Sequence, residues 1–242
     1  MDDKLFINDS KVKNAVDTAS LLIKNDHYVN LHGNIGSGKQ FIAKTLSLEL
    51  FKIAATIVDC CKNPDHLDFL FNNSSEDPII LINIHRLNSN YQKLLADMIK
   101  AQKEYFFILT NENGTDEIIT ELKDLILKNR VDIPAWETRT DKYEIFCYYI
   151  EQYSKKRAFF STKIDPQIQD FLIYHYNWKG MPFDTIKDIA GMAQLPALLQ
   201  DSDVIKLKYI PLLNNSIPAR LKKWNQIFLN ALRGLELNSN FK

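Results

Sequence analysis

The chain alternates between segments in which apolar residues recur every three or four positions and short runs that are apolar throughout. The first pattern predicts amphipathic helices, and the second predicts buried parallel strands. Predicted helices cover residues 10–25, 39–52 and 90–102, and predicted strands cover 28–33, 54–60, 78–84, 105–111 and 129–135. Because strands and helices alternate, we expect an α/β core with a doubly wound parallel sheet over residues 1–137.

Beyond residue 137 the pattern is helical only. Helical spacing recurs in three stretches, 141–160, 165–178 and 181–195. They are separated by Ser/Thr, Asp-Pro and Gly signals, so we expect a small helical lid over residues 138–194. Residues 195–242 predict a connector and then a C-terminal amphipathic helix over 218–237.

The most specific signal is a glycine-rich loop between the first predicted strand and the helix that follows it. Gly33, Gly36 and Gly38 precede Lys39 in the pattern G-x-x-x-x-G-K. Such a loop binds phosphate through main-chain N–H groups and the helix N-terminus, while its lysine reaches the β and γ oxygens. We therefore predict an ATP or ADP site formed by Gly33, Asn34, Ile35, Gly36, Ser37, Gly38, Lys39 and Gln40.

The groups that would hold Mg²⁺ and cleave the nucleotide are missing from their usual positions. Gln40 stands where a Ser or Thr hydroxyl ordinarily ligates Mg²⁺, so we expect the ion to be held weakly, if at all. The strand over 78–84 supplies Ile82 and Asn83 in place of acids, and a lone His85 after a strand is more often structural than catalytic. A single general acid or base typically raises the reaction rate about 10²–10⁴-fold, so its loss should slow hydrolysis by a similar factor. We assign no catalytic residue and no metal ligand, and we expect binding without efficient hydrolysis.

The overall composition of the chain argues against several classes of partner. The 242 residues are 45% hydrophobic, with 30 Lys+Arg against 30 Asp+Glu, which excludes global electrostatic steering toward nucleic acid but not a local basic patch. The chain has no apolar run of about eighteen residues and starts without a secretory signal, so we expect no membrane partner. Its three cysteines include no Cys-x-x-Cys, and reduced thiols in a cytoplasmic protein are the expectation.

Taken together, these segments resemble the AAA+ domain of bacterial enhancer-binding proteins, the activators that carry a sigma-54 interaction domain. The opening helix, strand and loop over 6–50 are similar to that family's start, and residues 57–71 are similar to its second strand and acidic helix. Residues 176–189, YNWKGMPFDTIKDI, resemble its lid signature. Residues 218–240 resemble the first helix of its Fis-type DNA-binding end.

The resemblance implies roles for some positions and losses at others. Asn111 matches the position that senses the γ-phosphate, and the two acids of the family fall on Ile82 and Asn83. The family's arginine fingers fall near Lys123, Lys128 and Arg130, and a lysine cannot reproduce the arginine fork. The lid arginine falls on Phe183, and the loop that touches the sigma factor is absent from residues 71–78. The resemblance therefore implies that the chain keeps the family's fold but has lost the activity of remodelling the sigma factor.

The C-terminal helix has two interpretations of equal standing. Its basic residues, Arg220, Lys222, Lys223 and Arg233, would contact DNA phosphates in a Fis-like domain. Otherwise the helix packs on the lid or on a second copy of the chain, and these residues form a solvated face.

We favour a bacterial transcription regulator with a degenerate AAA+ domain. It would bind ATP or ADP, assemble into a homo-oligomer, and act on DNA or RNA polymerase. The alternatives are a DnaA-related replication-control protein, a slow AAA+ ATPase or clamp-loader-like subunit, and a structural adaptor with an empty loop.

Overall fold

The computed structural model describes residues 9–62, 77–102, 104–110, 117–156, 162–200 and 202–211. The chain divides into two compact units, Met1–Ala135 and Trp136–Lys242. No helix in these described ranges is both long and apolar enough to cross a membrane.

The first unit alternates helices and strands. Its elements are α1 (Ser10–Asp26), β1 (Tyr28–His32), α2 (Lys39–Phe51), β2 (Thr56–Asp59), β3 (Ile79–Ile82), α3 (Ser89–Ala101), β4 (Phe106–Thr110), α4 (Thr120–Lys128) and β5 (Arg130–Asp132). A 3-10 turn, Ile84–Arg86, follows β3. The strands are one to four residues shorter than the apolar runs that predict them.

Within the described residues, five parallel strands form one sheet in the order β2-β3-β4-β1-β5. This confirms the predicted α/β fold with a parallel sheet. Ile82 of β3 pairs with Leu109 of β4, and Leu109 pairs with Leu31 of β1, so these three residues share one row of the sheet. The loop after β1 therefore leaves the sheet beside the end of β4, at the edge where α/β proteins bind ligands.

Helices cover both faces of the sheet, because side chains alternate along each strand. Val29 and Leu31 of β1 face α1 and α2, in the same cluster as Phe107 of β4. Tyr28 and Phe106 belong to the opposite cluster, which packs against α3 and α4. All five side chains are buried, and each contributes on the order of 1.5–3 kcal/mol relative to exposure.

The sheet also buries polar side chains, of which Asn30 is the most central. Asn30 lies in the middle of β1 and is 1% exposed. Its Nδ2 donates to the carbonyl oxygen of Ile126 in α4 at 3.1 Å, and its Oδ1 accepts from the Thr110 hydroxyl of β4 at 2.8 Å. Burial of the amide is tolerated because both ends of it have partners.

Local signals set the ends of α1. The Asp9 carboxylate accepts from the main-chain N–H groups of Lys11 and Val12, which caps the first turn. At the other end His27 adopts a left-handed conformation with φ 64°, and its N–H donates to the Ile23 carbonyl oxygen. The helix therefore stops just before β1 begins.

The second unit is mainly helical. Its regular elements are α5 (Lys142–Lys156), β6 (Lys163–Ile164), α6 (Gln167–Asp170), α7 (Thr185–Leu199) and β7 (Val204–Ile205). Where the sequence pattern predicts one helix over 165–178, α6 is followed by a π-helical turn, Phe171–His175. Helix α7 continues through residue 194, where the sequence pattern places the end of the lid, and it contains Pro196. Ala193 and Ala197 are buried on this helix.

Two buried cations organise the core of the second unit. Arg139 donates from Nε and Nη2 to the Asp141 carboxylate at 2.9 and 2.6 Å, and both side chains are at most 1% exposed. Its guanidinium lies 5.4 Å from the Trp136 ring centroid and 5.6 Å from that of Phe183. Lys142 donates to the carbonyl oxygens of Glu137 and Arg139. Pairing and aromatic contact offset the cost of burying these charges.

Candidate functional site

The loop between β1 and α2 has a backbone that demands glycine. Gly36 and Gly38 adopt φ values of 81° and 90°, in the left-handed region that other residues rarely enter. Gly33 is required by close approach, since a Cβ there would lie 2.8 Å from the Ile133 carbonyl oxygen. The loop is anchored at its start by a hydrogen bond from the Gly33 N–H to the Thr110 carbonyl oxygen, 3.2 Å long.

Lys39 is folded back onto the loop that precedes it. Its Nζ donates to the carbonyl oxygens of Gly33 at 2.8 Å and Asn34 at 2.7 Å, and lies 3.4 Å from Ser37 Oγ. These contacts use all three ammonium hydrogens. Desolvation by burial lowers the pKa of Lys39 to about 8. A phosphate oxygen reaching this ammonium would replace a loop carbonyl as its acceptor.

The N-terminus of α2 faces the same loop. The helix begins at Lys39 after Gly38, and no side chain caps its first turn. Uncapped N–H groups at a helix N-terminus bind anions. Gln40 is exposed, Ser37 is buried, and Ile35 is 84% exposed. The structure thus brings the predicted loop residues, Gly33 to Gln40, together at the carboxyl edge of the sheet.

A buried polar network, not recognised in the sequence, joins the loop to the end of β4. The Thr110 hydroxyl gives its single hydrogen to Asn30, so at the 3.0 Å contact with His32 it accepts and His32 Nδ1 donates. His32 and Thr110 directly precede Gly33 and Asn111. The network therefore fixes the end of β4 relative to the start of the phosphate loop. The only sequence signal for it was the presence of polar residues inside apolar runs.

The end of β3 carries an amide where the acid is missing. Asn83 adopts a left-handed conformation with φ 60° and ψ 37°. Its Nδ2 donates to Asp59 Oδ1, at the end of β2, over 2.9 Å. This hydrogen bond is the main cause of a lowered pKa for the Asp59 carboxyl, so Asp59 is ionised at neutral pH. His85 lies half-buried in the turn that follows.

Metal-binding side chains are not grouped in the part of the chain that the structure describes. Across the described ranges, no group of three or more His, Cys, Asp and Glu side chains could hold one. Magnesium bound with nucleotide keeps several waters and takes phosphate oxygens as ligands, so it needs few protein groups. Gln40 at the start of α2 and Asn83 at the end of β3 carry side-chain amides.

The basic residues for which the resemblance implies an arginine-finger position have local contacts in the structure. Lys128 Nζ lies 3.9 Å from an Asp26 carboxylate oxygen, and Arg130 binds Asp132 within β5 at 2.7 Å. Lys123 is half-buried on α4. In the second unit, Phe183 is buried against Trp136 with ring centroids 5.1 Å apart, so its side chain contributes packing.

Several predicted positions lie outside the described residues. They are Asn111, residues 71–76, and the four basic residues of the C-terminal helix, Arg220, Lys222, Lys223 and Arg233.

The chain is similar to known proteins in its fold but not in its sequence. No family model and no curated protein matches the chain. A crystal structure of NtrX from Brucella abortus in complex with ATP superposes with a TM-score of 0.66 at 13% identity, covering 94% of this chain and 62% of that one. NtrX in complex with ADP gives 0.69 at 12% identity, covering 86% and 54%. The Thermotoga maritima RuvB Holliday junction branch migration motor gives 0.58 at 16% identity, covering 90% and 70%.

The chain has the AAA+ P-loop fold. This confirms the fold that the resemblance implies. Sequence identities of 12–16% establish the fold alone and no shared function. The chain spans 54–62% of the length of the NtrX chains, so the activity of a whole NtrX protein is not transferred by this likeness.

Proposed function

We propose that this chain is a nucleotide-binding domain of a bacterial transcription regulator, which binds ATP or ADP and hydrolyses it poorly or not at all. The observation that carries the proposal is the pairing of an intact phosphate loop with an amide at the end of β3. Gly33, Gly36, Gly38 and Lys39 hold the backbone and charge that phosphate needs, whereas Asn83 has no proton-accepting carboxylate.

Nucleotide binding is further supported by the neighbours, because two of the NtrX structures contain ATP or ADP. When nucleotide enters, the main-chain N–H groups of the loop and the first turn of α2 bind its phosphates. Lys39 turns its ammonium from the loop carbonyls toward them. Gln40 and Asn83 offer amide oxygens to a hydrated Mg²⁺, which would neutralise part of the phosphate charge.

Weak hydrolysis follows from the groups that surround this site. An amide can orient an attacking water but cannot take its proton, and the lost group corresponds to about 10²–10⁴-fold in rate. A ligand that is not cleaved can still shift a conformational equilibrium by its difference in affinity for two states. In this proposal the nucleotide is a regulatory ligand, and the protein acts through homo-oligomerisation and contact with DNA or RNA polymerase.

Titration of a fluorescent ATP analogue into the wild type and into Lys39→Ala tests the site. We expect saturable binding by the wild type and at least tenfold weaker binding by the variant. Phosphate release at saturating ATP and Mg²⁺ tests the second half of the proposal, and turnover at rates typical of ATPases would refute it. Equal, unsaturable signals from both proteins would refute nucleotide binding altogether.

A further inference from the structure

We propose that the second unit binds a monatomic anion, chloride in solution, in its interior, and that Trp136 Nε1 and Arg139 Nη1 hold this ion. The evidence is a pair of buried N–H donors for which the described part of the chain offers no acceptor. Both residues lie in the segment that opens the second unit. The proposal is therefore independent of nucleotide binding by the phosphate loop.

Arg139 is held in one orientation by its carboxylate partner. Its Nε and Nη2 donate to Asp141 at 2.9 and 2.6 Å, and the two side chains are at most 1% exposed. Because the guanidinium is planar, this bidentate contact directs Nη1 away from the carboxylate. Nη1 carries two hydrogens, and it is buried with no hydrogen-bond partner. A cationic group thus keeps unused donors in the interior of the unit.

The indole of Trp136 provides the second donor. Trp136 is 2% exposed, and its Nε1 has no hydrogen-bond partner either. An indole nitrogen only donates, so only an acceptor can satisfy it. The guanidinium carbon of Arg139 lies 5.4 Å from the centroid of the Trp136 ring, which brings the two donors into one small region. In the proposal, one ion lies within about 3.2 Å of both nitrogens.

A neighbouring tryptophan in the same aromatic cluster has the ordinary arrangement. Trp178 packs edge-on against Trp136 with ring centroids 5.4 Å apart, and its Nε1 donates to the Leu172 carbonyl oxygen at 2.7 Å. Buried polar groups nearly always have such a partner, because an unpaired one has given up its hydrogen bond to water for nothing. The loss is larger for a charged donor than for a neutral one. We therefore infer that a bound acceptor completes Trp136 and Arg139.

The surroundings favour an anion over a water molecule. A water brings two hydrogens of its own, and the neighbouring rings of Trp136 and Phe183 accept hydrogen bonds only weakly. An anion brings no hydrogens, and it gains from the charge of the guanidinium. The ammonium of Lys142 lies 5.7 Å from the Trp136 ring centroid and adds a second positive charge nearby. Because both donors are buried, a monatomic ion also displaces fewer atoms than a phosphate or a carboxylate would.

The test follows urea unfolding of the full chain by circular dichroism, in sodium chloride and in sodium gluconate at equal ionic strength. Chloride that binds only the folded state stabilises it by mass action. Above the dissociation constant, each tenfold rise in chloride should therefore lower the unfolding equilibrium constant by up to tenfold. Trp136→Phe removes the indole donor, so we expect it to lose most of this chloride dependence.

Trp178→Phe is the matched control. It also shortens a buried tryptophan of the cluster, but it removes a donor that already has a protein acceptor and leaves Trp136 Nε1 and Arg139 Nη1 in place. Its chloride dependence should equal that of the wild type, whatever its absolute stability. Equal chloride dependence in Trp136→Phe and Trp178→Phe would overturn the proposal, because the effect would then arise elsewhere on the protein.

A crystallographic measurement on the wild type covers the case in which a variant does not fold. Crystals soaked in sodium bromide should show an anomalous-scattering peak within hydrogen-bonding distance of Trp136 Nε1 and Arg139 Nη1. A water molecule at this position, or no density there at all, would overturn the proposal. Equal unfolding constants of the wild type in chloride and in gluconate would overturn it as well.

Discussion

The buried ammonium of Lys39 predicts that nucleotide affinity depends on pH. The affinity should fall as the pH rises above 8. Desolvation lowers the pKa of Lys39 to about 8 in the empty site. Phosphate favours the charged form, so the bound site has a higher pKa and binding takes up a proton wherever the free lysine has lost one. The protonated fraction of the free site falls from about 0.9 at pH 7 to about 0.09 at pH 9, so affinity should fall about tenfold over that range.

The assay is fluorescent ATP titration at constant ionic strength between pH 7 and pH 9. In this range the terminal phosphate is already largely ionised, so the nucleotide contributes little to the change. Lys39→Arg is the matched control, because a guanidinium stays charged throughout and its affinity, whatever its absolute value, should be flat with pH. A flat wild-type profile, or one that rises toward pH 9, would refute the view that a desolvated Lys39 binds the phosphates.

Three further predictions concern packing, each tested by a substitution and, for two of them, a control variant. Gly33→Ala puts a Cβ 2.8 Å from a main-chain oxygen, so ATP binding should be lost and the melting temperature lowered. Thr110→Val leaves buried polar partners unsatisfied and should cost about 1–3 kcal/mol of unfolding free energy, which Thr110→Ser should largely restore in urea titrations. Asp141→Asn removes the charge that pairs with buried Arg139 and should cost up to about 3–5 kcal/mol, whereas Lys163→Ala, at an exposed ion pair, should cost under about 1 kcal/mol in the same assay. Equal costs for these last two variants would contradict the role of burial.

Much of the fold could be predicted because its signals are local. Parallel strands buried on both faces read as apolar runs, and the phosphate loop is specified by glycines that its φ values require. The sequence analysis did not predict helix α4, because residues 120–128 were interpreted only for their basic side chains. The π-helical turn at 171–175 was also missed, because an apolar run at helical spacing does not distinguish i→i+4 from i→i+5 hydrogen bonding.

The site was predictable only where it is contiguous in sequence. The loop from Gly33 to Gln40 is one segment, so its pattern was sufficient. Asp59 and Asn83 are 24 positions apart, and His32 and Thr110 are 78 apart. Those contacts depend on which strands are neighbours and in what register, which periodicity does not determine.

The buried Asn30 side chain helps to determine the register of β1 in the sheet. Aliphatic side chains in β1 would pack almost as well if the strand slid by two residues, since alternation between faces would be preserved. Such a slide would carry the Asn30 amide away from Ile126 and Thr110 and leave it buried without partners. The buried Asn30 amide therefore destabilises sheets with a shifted β1, and it favours the register in which the Gly33 N–H reaches the Thr110 carbonyl oxygen on β4.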